Sequence, residues 1–202
     1  VTETNKNIFP VHHEIMSREE KEIMLNQRAR VIWLTGLSGA GKTTLAKYLE
    51  GELASRGYLT QVLDGDNIRT GINNNLGFSP EDRYENIRRI AEVSKLFLHC
   101  GIITINCFIS PTEEIREMAR QIIGEDDFIE VYVNAPLDVC EERDVKGLYS
   151  RARRGEIKEF TGITAPFEAP QKHDLEVRTD LAPIEQSVKQ ILELTLPRIE
   201  LA

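Results

Sequence analysis

GLSGAGKTT, residues Gly36 to Thr44, gathers small residues ahead of one lysine and two threonines. Within it Gly36, Gly41, Lys42 and Thr43 fit the pattern GxxxxGK[ST]. Its flanks supply the context that pattern needs: VIWLT (31–35) reads as a buried strand, and KTTLAKYLEGELASRG (42–57) as a helix closed by Gly57. Small side chains let the successive amides of Gly36, Leu37, Ser38, Gly39, Ala40 and Gly41 turn inward as an anion nest, and the helix N-terminus adds partial positive charge. Lys42 then reaches the β- and γ-phosphates of a nucleotide, and the Thr43 hydroxyl ligates magnesium. Thr44 serves packing or a secondary phosphate contact. The expected cofactors are ATP and Mg2+.

Outward from this loop, strands and helices alternate. A polar lead holds a short helix, SREEKEIMLNQ (17–27), so residues 1–30 form an N-terminal extension ahead of a domain at 31–202. YLTQVLDGD (58–66) reads as a strand ending in carboxylates. The helix starting at Ser79 has Pro80 at its first position and Asp82 as a weaker capping-box acid; Ile87, Ile90, Ala91, Ser94, Phe97 and Leu98 recur on one face. IITINCFI (102–109) is an apolar strand, followed by SPTEEIREMARQIIG (110–124) with the same Ser-Pro opening and a capping box from Ser110 to Glu113. FIEVYVNAP (128–136), a short helix LDVCEERD (137–144), DLEVRT (174–179) and a terminal helix from Pro183 complete the chain. Five strands alternating with helices, several of them apolar throughout, predict an α/β fold: a parallel sheet covered by helices on both faces.

Residues 145–170, VKGLYSRARRGEIKEFTGITAPFEAP, break this rhythm. The segment is basic at its start and aromatic and proline-rich at its end, and a connection that long reads as a lid. Lys146, Arg151, Arg153, Arg154 and Lys158 are its cations, of which Lys146 is the best placed to meet phosphoryl charge and at least half of the rest are expected to be solvated.

Composition limits the function classes. With 202 residues and a formal charge of −8, the chain suits one domain and lacks the basic excess of a general nucleic-acid or anionic-membrane binder. No apolar run reaches membrane-spanning length, and the N-terminus lacks a secretory pattern. Cys100, Cys107 and Cys140 form no CxxC pair; the first two lie in apolar segments and read as small hydrophobes, which suits a cytoplasmic protein.

A phosphate loop serves kinases and nucleotide switches alike. A guanine-reading switch needs DxxG and then NKxD at a strand end; DVKG at Asp144 and NKN at Asn5 match only by letters. LDGDNIRTG (63–71) favours a kinase: Asp64 and Asp66 stand at the C-terminal end of a strand, where one can organise the metal or accept a proton from an attacking hydroxyl. The remaining alternatives are a different small-molecule kinase, with a nucleoside or sugar acceptor, and a regulatory switch.

GLSGAGKTT, LDGDNIR, GFSPEDRYENIRRIAEVSKLF, ISP, DVKGLYSRAR, GEIKEFTGI and APFEAP, in that order, resemble the adenylyl-sulfate kinase family. The likeness runs from about Val31 to Pro170. It implies a P-loop kinase that phosphorylates the 3'-hydroxyl of adenosine 5'-phosphosulfate in sulfate assimilation. It also implies an acceptor pocket. Phe78 and Phe160 resemble two aromatic walls around adenine, and Arg69, Arg83 and Asn86 resemble phosphosulfate contacts. Asp66, Asn67, Ile109, Ser110, Lys146, Leu148, Thr161 and Gly162 complete the set, and Arg88 and Arg89 are left as surface charges. Ser110 corresponds to a serine assigned in the family as a phosphoserine intermediate; substrate contact plus helix capping, with direct transfer from ATP, is the preferred role. Arg143 and TDLAP (179–183) are placed beside the ATP base. FPVHHE departs from the family's tryptophan before a single histidine, so His12 and His13 are treated as surface residues. A homodimer and a functional link to an ATP sulfurylase are left open.

Overall fold

The computed structural model describes residues 9–11 and 14–201; His12 and His13 lie outside them. Five parallel strands form one sheet in the order β2-β3-β1-β4-β5. They are β1 (Val31–Thr35), β2 (Thr60–Asp64), β3 (Ile103–Cys107), β4 (Phe128–Asn134) and β5 (Leu175–Arg178). The helices are α1 (Arg18–Leu25), α2 (Lys42–Ser55), α3 (Gly65–Arg69), α4 (Pro80–His99), α5 (Glu113–Ile123), α6 (Leu137–Arg143), α7 (Leu148–Arg153) and α8 (Ile184–Ile199).

The central strand decides the layering. All five residues of β1 are buried, and they alternate between two cores. Ile32 and Leu34 pack with Leu45 and Leu49 of α2 and Ile191 of α8; Val31 and Trp33 pack with Ile90 of α4 and Ile115 of α5. A strand with both faces covered has no polar side, which is why it reads as an unbroken apolar run. The predicted buried face of α4 is realised at Ile87, Ile90, Ala91, Ser94 and Leu98, while Phe97 is half-buried.

Capping departs from expectation twice. Ser79 accepts from the Asp82 amide as predicted, but the Asp82 carboxylate accepts from the Gly77 amide instead of returning to the cap. Ser110 caps nothing: α5 begins at Glu113 with Thr112 as its N-cap, accepting from the Ile115 amide. An N-cap needs extended backbone, and Ser110 has φ +46 whereas Thr112 has φ −121. Cys100 is also corrected: it ends α4 exposed, while Cys107 and Cys140 are buried.

The lead helix is tied to the domain. Gln27 is fully buried and bonds the Leu59 and Gly101 carbonyls, and Arg18 pairs with Asp127. Among the described residues no helix is long and apolar enough to cross a membrane.

Candidate active site

β1 and β3 are neighbours, yet the helices that follow them lie on opposite faces: α2 packs with one core, α5 with the other. The chain therefore parts at their C-terminal ends, the place where open α/β sheets bind ligands. A cleft of about 1170 Å³ opens there. That exceeds the upper end of ordinary small-ligand pockets, roughly 1,000 Å³, and suits two nucleotides.

One wall is the phosphate loop. Ser38, Gly39, Gly41, Lys42, Thr43 and Thr44 line the cleft; Gly36, Leu37 and Ala40 stand behind them. The glycines answer first to the protein itself. A Cβ on Gly36 would collide with the Val133 carbonyl of β4, and one on Gly39 would lie 3.0 Å from the Cys140 carbonyl of α6. Both have positive φ. The loop is thus pressed against β4 and α6, which leaves its outer side to a ligand.

Lys42 is buried and donates to the Gly36 and Leu37 carbonyls at 2.8 and 2.7 Å. Burial pushes its ammonium down to about 8. Arriving phosphates would reverse that cost, since an anion favours the charged form.

The two carboxylates separate by partner. Asp64 accepts the Thr43 hydroxyl at 2.7 Å and caps α3 through the Asp66 amide. Asp66 is paired with Lys146, which brings the start of the 145–170 segment across to α3. Among the described residues no cluster of three or more His, Cys, Asp or Glu side chains could hold a metal. One hydroxyl and one carboxylate do suit magnesium, which keeps several waters and takes its other ligands from substrate phosphates.

Across the cleft, Phe78 and Phe160 both line the wall but are unequal. Phe78 is 60% exposed, with the Arg69 guanidinium 4.4 Å above its ring and Arg83 at 5.9 Å. Phe160 is only 9% exposed and meets Tyr149 edge-on at 4.9 Å. Arg83 donates to the Phe78 and Glu159 carbonyls and to the Thr161 hydroxyl, so it ties α4 to the segment carrying Phe160. Burial holds both arginines below the usual guanidinium value, and their mutual repulsion lowers Arg83 further. Such a pair is primed for an anion. Asn86 is buried, its Oδ1 accepting from Asn73 Nδ2 at 3.0 Å. Asn67, Ile109 and Leu148 also line the cleft, whereas Gly162 does not: it lies in a shallow groove with Leu37 and Leu137.

Ser110 lines the cleft at 1% exposure. Its Oγ accepts from Trp33 Nε1 at 2.9 Å, and no carboxylate or histidine among the described residues bonds it. A donor at that oxygen withdraws a lone pair and supplies no base, which disfavours a nucleophilic role.

The basic run divides as expected for mostly solvated charges. Arg151 and Arg154 pair with Glu156 and Arg153 with Glu141, the three arginines all exposed; only Lys146 of the five cations lines the cleft. Asp144 of DVKG accepts from the Tyr149 and Ser150 amides and so begins α7, a structural use unlike a switch. Arg88 and Arg89 share Glu85 on the α4 surface.

Tyr149 and Ile184 are among the cleft residues not singled out from the sequence. Tyr149 donates to the Ser38 carbonyl at 2.9 Å and backs Phe160, yet it looks like an ordinary core aromatic in sequence. Thr179 of TDLAP, a segment the sequence places with Arg143, bridges Arg143 and the Ala40 carbonyl, and with Ala182, Pro183 and the additional Ile184 it borders the phosphate-loop end of the cleft.

Residues 28–178 match the family described as adenylylsulphate kinase. The chain belongs to the adenylyl-sulfate kinase family. It is 61% identical over 98% of both chains to adenylyl-sulfate kinase of Bacteroides fragilis, and 51% identical over 94% of both to that of Clostridium kluyveri. The structure of the Mycobacterium tuberculosis APS kinase in complex with AMPPNP and APS is similar, with a TM-score of 0.80 and 43% identity, covering 83% of this chain and 97% of that one. Adenylyl-sulfate kinases are transferases, so the regulatory-switch alternative falls away, and identity with them along nearly the whole chain sets aside the sugar- or nucleoside-kinase alternative.

Proposed function

We propose that this adenylyl-sulfate kinase passes the γ-phosphoryl group of ATP directly to the 3'-hydroxyl of adenosine 5'-phosphosulfate, with one substrate at each end of the cleft. What carries this reading is that the phosphate loop and the Arg69–Phe78–Arg83 cluster open onto a single cavity, which Asp64 and Asp66 also line. ATP takes the loop, its phosphates on the backbone amides and Lys42, its base beside Arg143 and Thr179–Ile184. Magnesium, when bound, would neutralise charge on the phosphates, and Thr43 and Asp64 would hold it. Adenosine 5'-phosphosulfate stacks its base between Phe78 and Phe160, worth about 1–3 kcal/mol per aromatic wall by analogy with base stacking, and sets its anionic end on Arg69, Arg83 and Asn86.

Asp64 is already engaged by Thr43, which suits the metal role; Asp66, beside Lys146, is left for the acceptor hydroxyl. Lys146 then meets the phosphoryl charge as it moves. Positioning and electrostatics suffice for such a transfer, so Ser110 contacts substrate without carrying phosphate. The test is stereochemical. ATP made chiral at the γ-phosphorus should give inverted product; net retention would require a covalent intermediate. A panel of acceptors scored for ADP release should single out adenosine 5'-phosphosulfate over sugars and nucleosides.

A further inference from the structure

Among the described residues that line the cleft, Ser110 is the non-glycine with a left-handed backbone: φ is +46, and Pro111 follows. Such conformations persist only where surrounding contacts over-determine them. Two contacts do so here. Trp33 of β1 donates its indole N–H to Ser110 Oγ at 2.9 Å, and Arg116 of α5 donates to the Ser110 carbonyl at 2.8 Å. Trp33 is fully buried, Arg116 is 1% exposed, and neither lines the cleft.

Arg116 also donates to Glu113 Oε2 at 2.6 Å, yet a buried guanidinium is a costly way to make these two bonds. Its Nε lies 3.3 Å from Glu130 Oε1, itself buried, and neither of those atoms makes a well-formed hydrogen bond. A buried ion pair of that kind gives no more stability than packed apolar side chains of similar volume. Its use is better sought in what the guanidinium orients.

We propose that Trp33 and Arg116 are positioning residues of the acceptor site, which hold the Ile109–Pro111 turn in its left-handed form and set the Ser110 hydroxyl as a hydrogen-bond donor. An indole N–H can only donate, so it fills one lone pair of Ser110 Oγ and leaves the serine proton for another acceptor. Among the described residues no protein group takes that proton. An oxygen of the anionic acceptor substrate is the complementary partner. This rests on the reading of Ser110 as a substrate contact.

Residue 110 provides the test. In Ser110→Gly the left-handed backbone costs nothing and the hydroxyl is gone, so Trp33 loses its partner, and Arg116, which still donates to the carbonyl of residue 110, has no hydroxyl left to position. The Trp33→Phe variant keeps the ring packing, and Arg116→Lys keeps the charge. Each should raise KM for adenosine 5'-phosphosulfate about tenfold, the loss of one good hydrogen bond, with KM for ATP within about twofold. Placed on Ser110→Gly, each should add less than about twofold. If either fails to fold, benzothienylalanine at the sole tryptophan, with sulfur replacing N–H, and the paired Arg116→Met/Glu130→Gln variant take their places. Effects that multiply on the Ser110→Gly background, or that fall equally on both substrates, overturn the proposal while leaving Ser110 as a contact. A Ser110→Gly enzyme with normal kinetics would remove the contact itself.

Discussion

The Thr43 hydroxyl donates to an Asp64 carboxylate oxygen across 2.7 Å, joining the first turn of α2 to the end of β2. Two oxygens that would hold magnesium are thereby brought together from residues 21 apart, at the mouth of the phosphate loop. Asp64→Asn retains the size and one hydrogen bond but loses the charge. Its turnover should fall by about a hundredfold or more, and the magnesium concentration giving half-maximal rate should rise. Magnesium titrations at saturating ATP and acceptor read both. Asp66→Asn, whose partner is Lys146, should leave that midpoint in place.

Lys42 carries an opposite stability prediction. Its folded pKa is about 8 against an ordinary 10.5, so burying the ammonium costs nothing above about pH 10.5 and is fully paid for below about pH 8. The cost is on the order of 3 kcal/mol. Lys42→Met loses two hydrogen bonds to carbonyls yet should be no less stable than the parent at pH 7 without ligand. Any advantage should fade between pH 8 and 10.5 as the parent's lysine deprotonates. Urea unfolding at several pH values measures this, while turnover drops by orders of magnitude at every pH.

Arg83 and Phe78 should not fail independently. Arg83→Ala removes a charged, half-buried contact, worth about 2 to 5 kcal/mol, and frees the Glu159–Thr161 stretch. Acceptor affinity should suffer far more than ATP affinity. Stacking alone would make Phe78→Ala insensitive to salt, but Arg69 rests on that ring at 4.4 Å. Phe78→Ala should therefore also release a cation and change the salt dependence of acceptor binding, which calorimetry at low and high salt detects.

The thiols should divide one against two. Cys100 is exposed, whereas burial pushes Cys107 up to about 12 and raises Cys140 as well. A thiol reagent should modify one cysteine in the native protein and three in denaturant. Cys100→Ser should abolish the fast reaction and leave kinase activity unchanged, as scored by mass spectrometry and assay.

Much of this was legible because local pattern carries it. The apolar run at β1, the face of α4 and the glycine loop each declare themselves within one turn or one strand. Ser79 and Ser110 mark the limit. Both precede a proline, and both have an acidic residue three positions on, yet only Ser79 is a cap. What separates them is Trp33, 77 residues away, whose indole N–H donates to the Ser110 hydroxyl. Gly162 fails as a cleft residue for a like reason: Leu37 and Leu137 meet it from other elements.

The sequence by itself determined the phosphate loop, the alternating α/β order and the family, since glycine spacing, apolar periodicity and motif order are properties of neighbours along the chain. Only the tertiary structure decided which carboxylate meets Thr43, that Lys146 pairs with Asp66, and that Arg83 joins α4 to the Phe160 segment. Each depends on groups far apart in sequence, between 21 and 80 residues, brought within hydrogen-bond reach. Hydrogen bonds and ion pairs act over a few ångströms, and the sheet order alone brings those ångströms about.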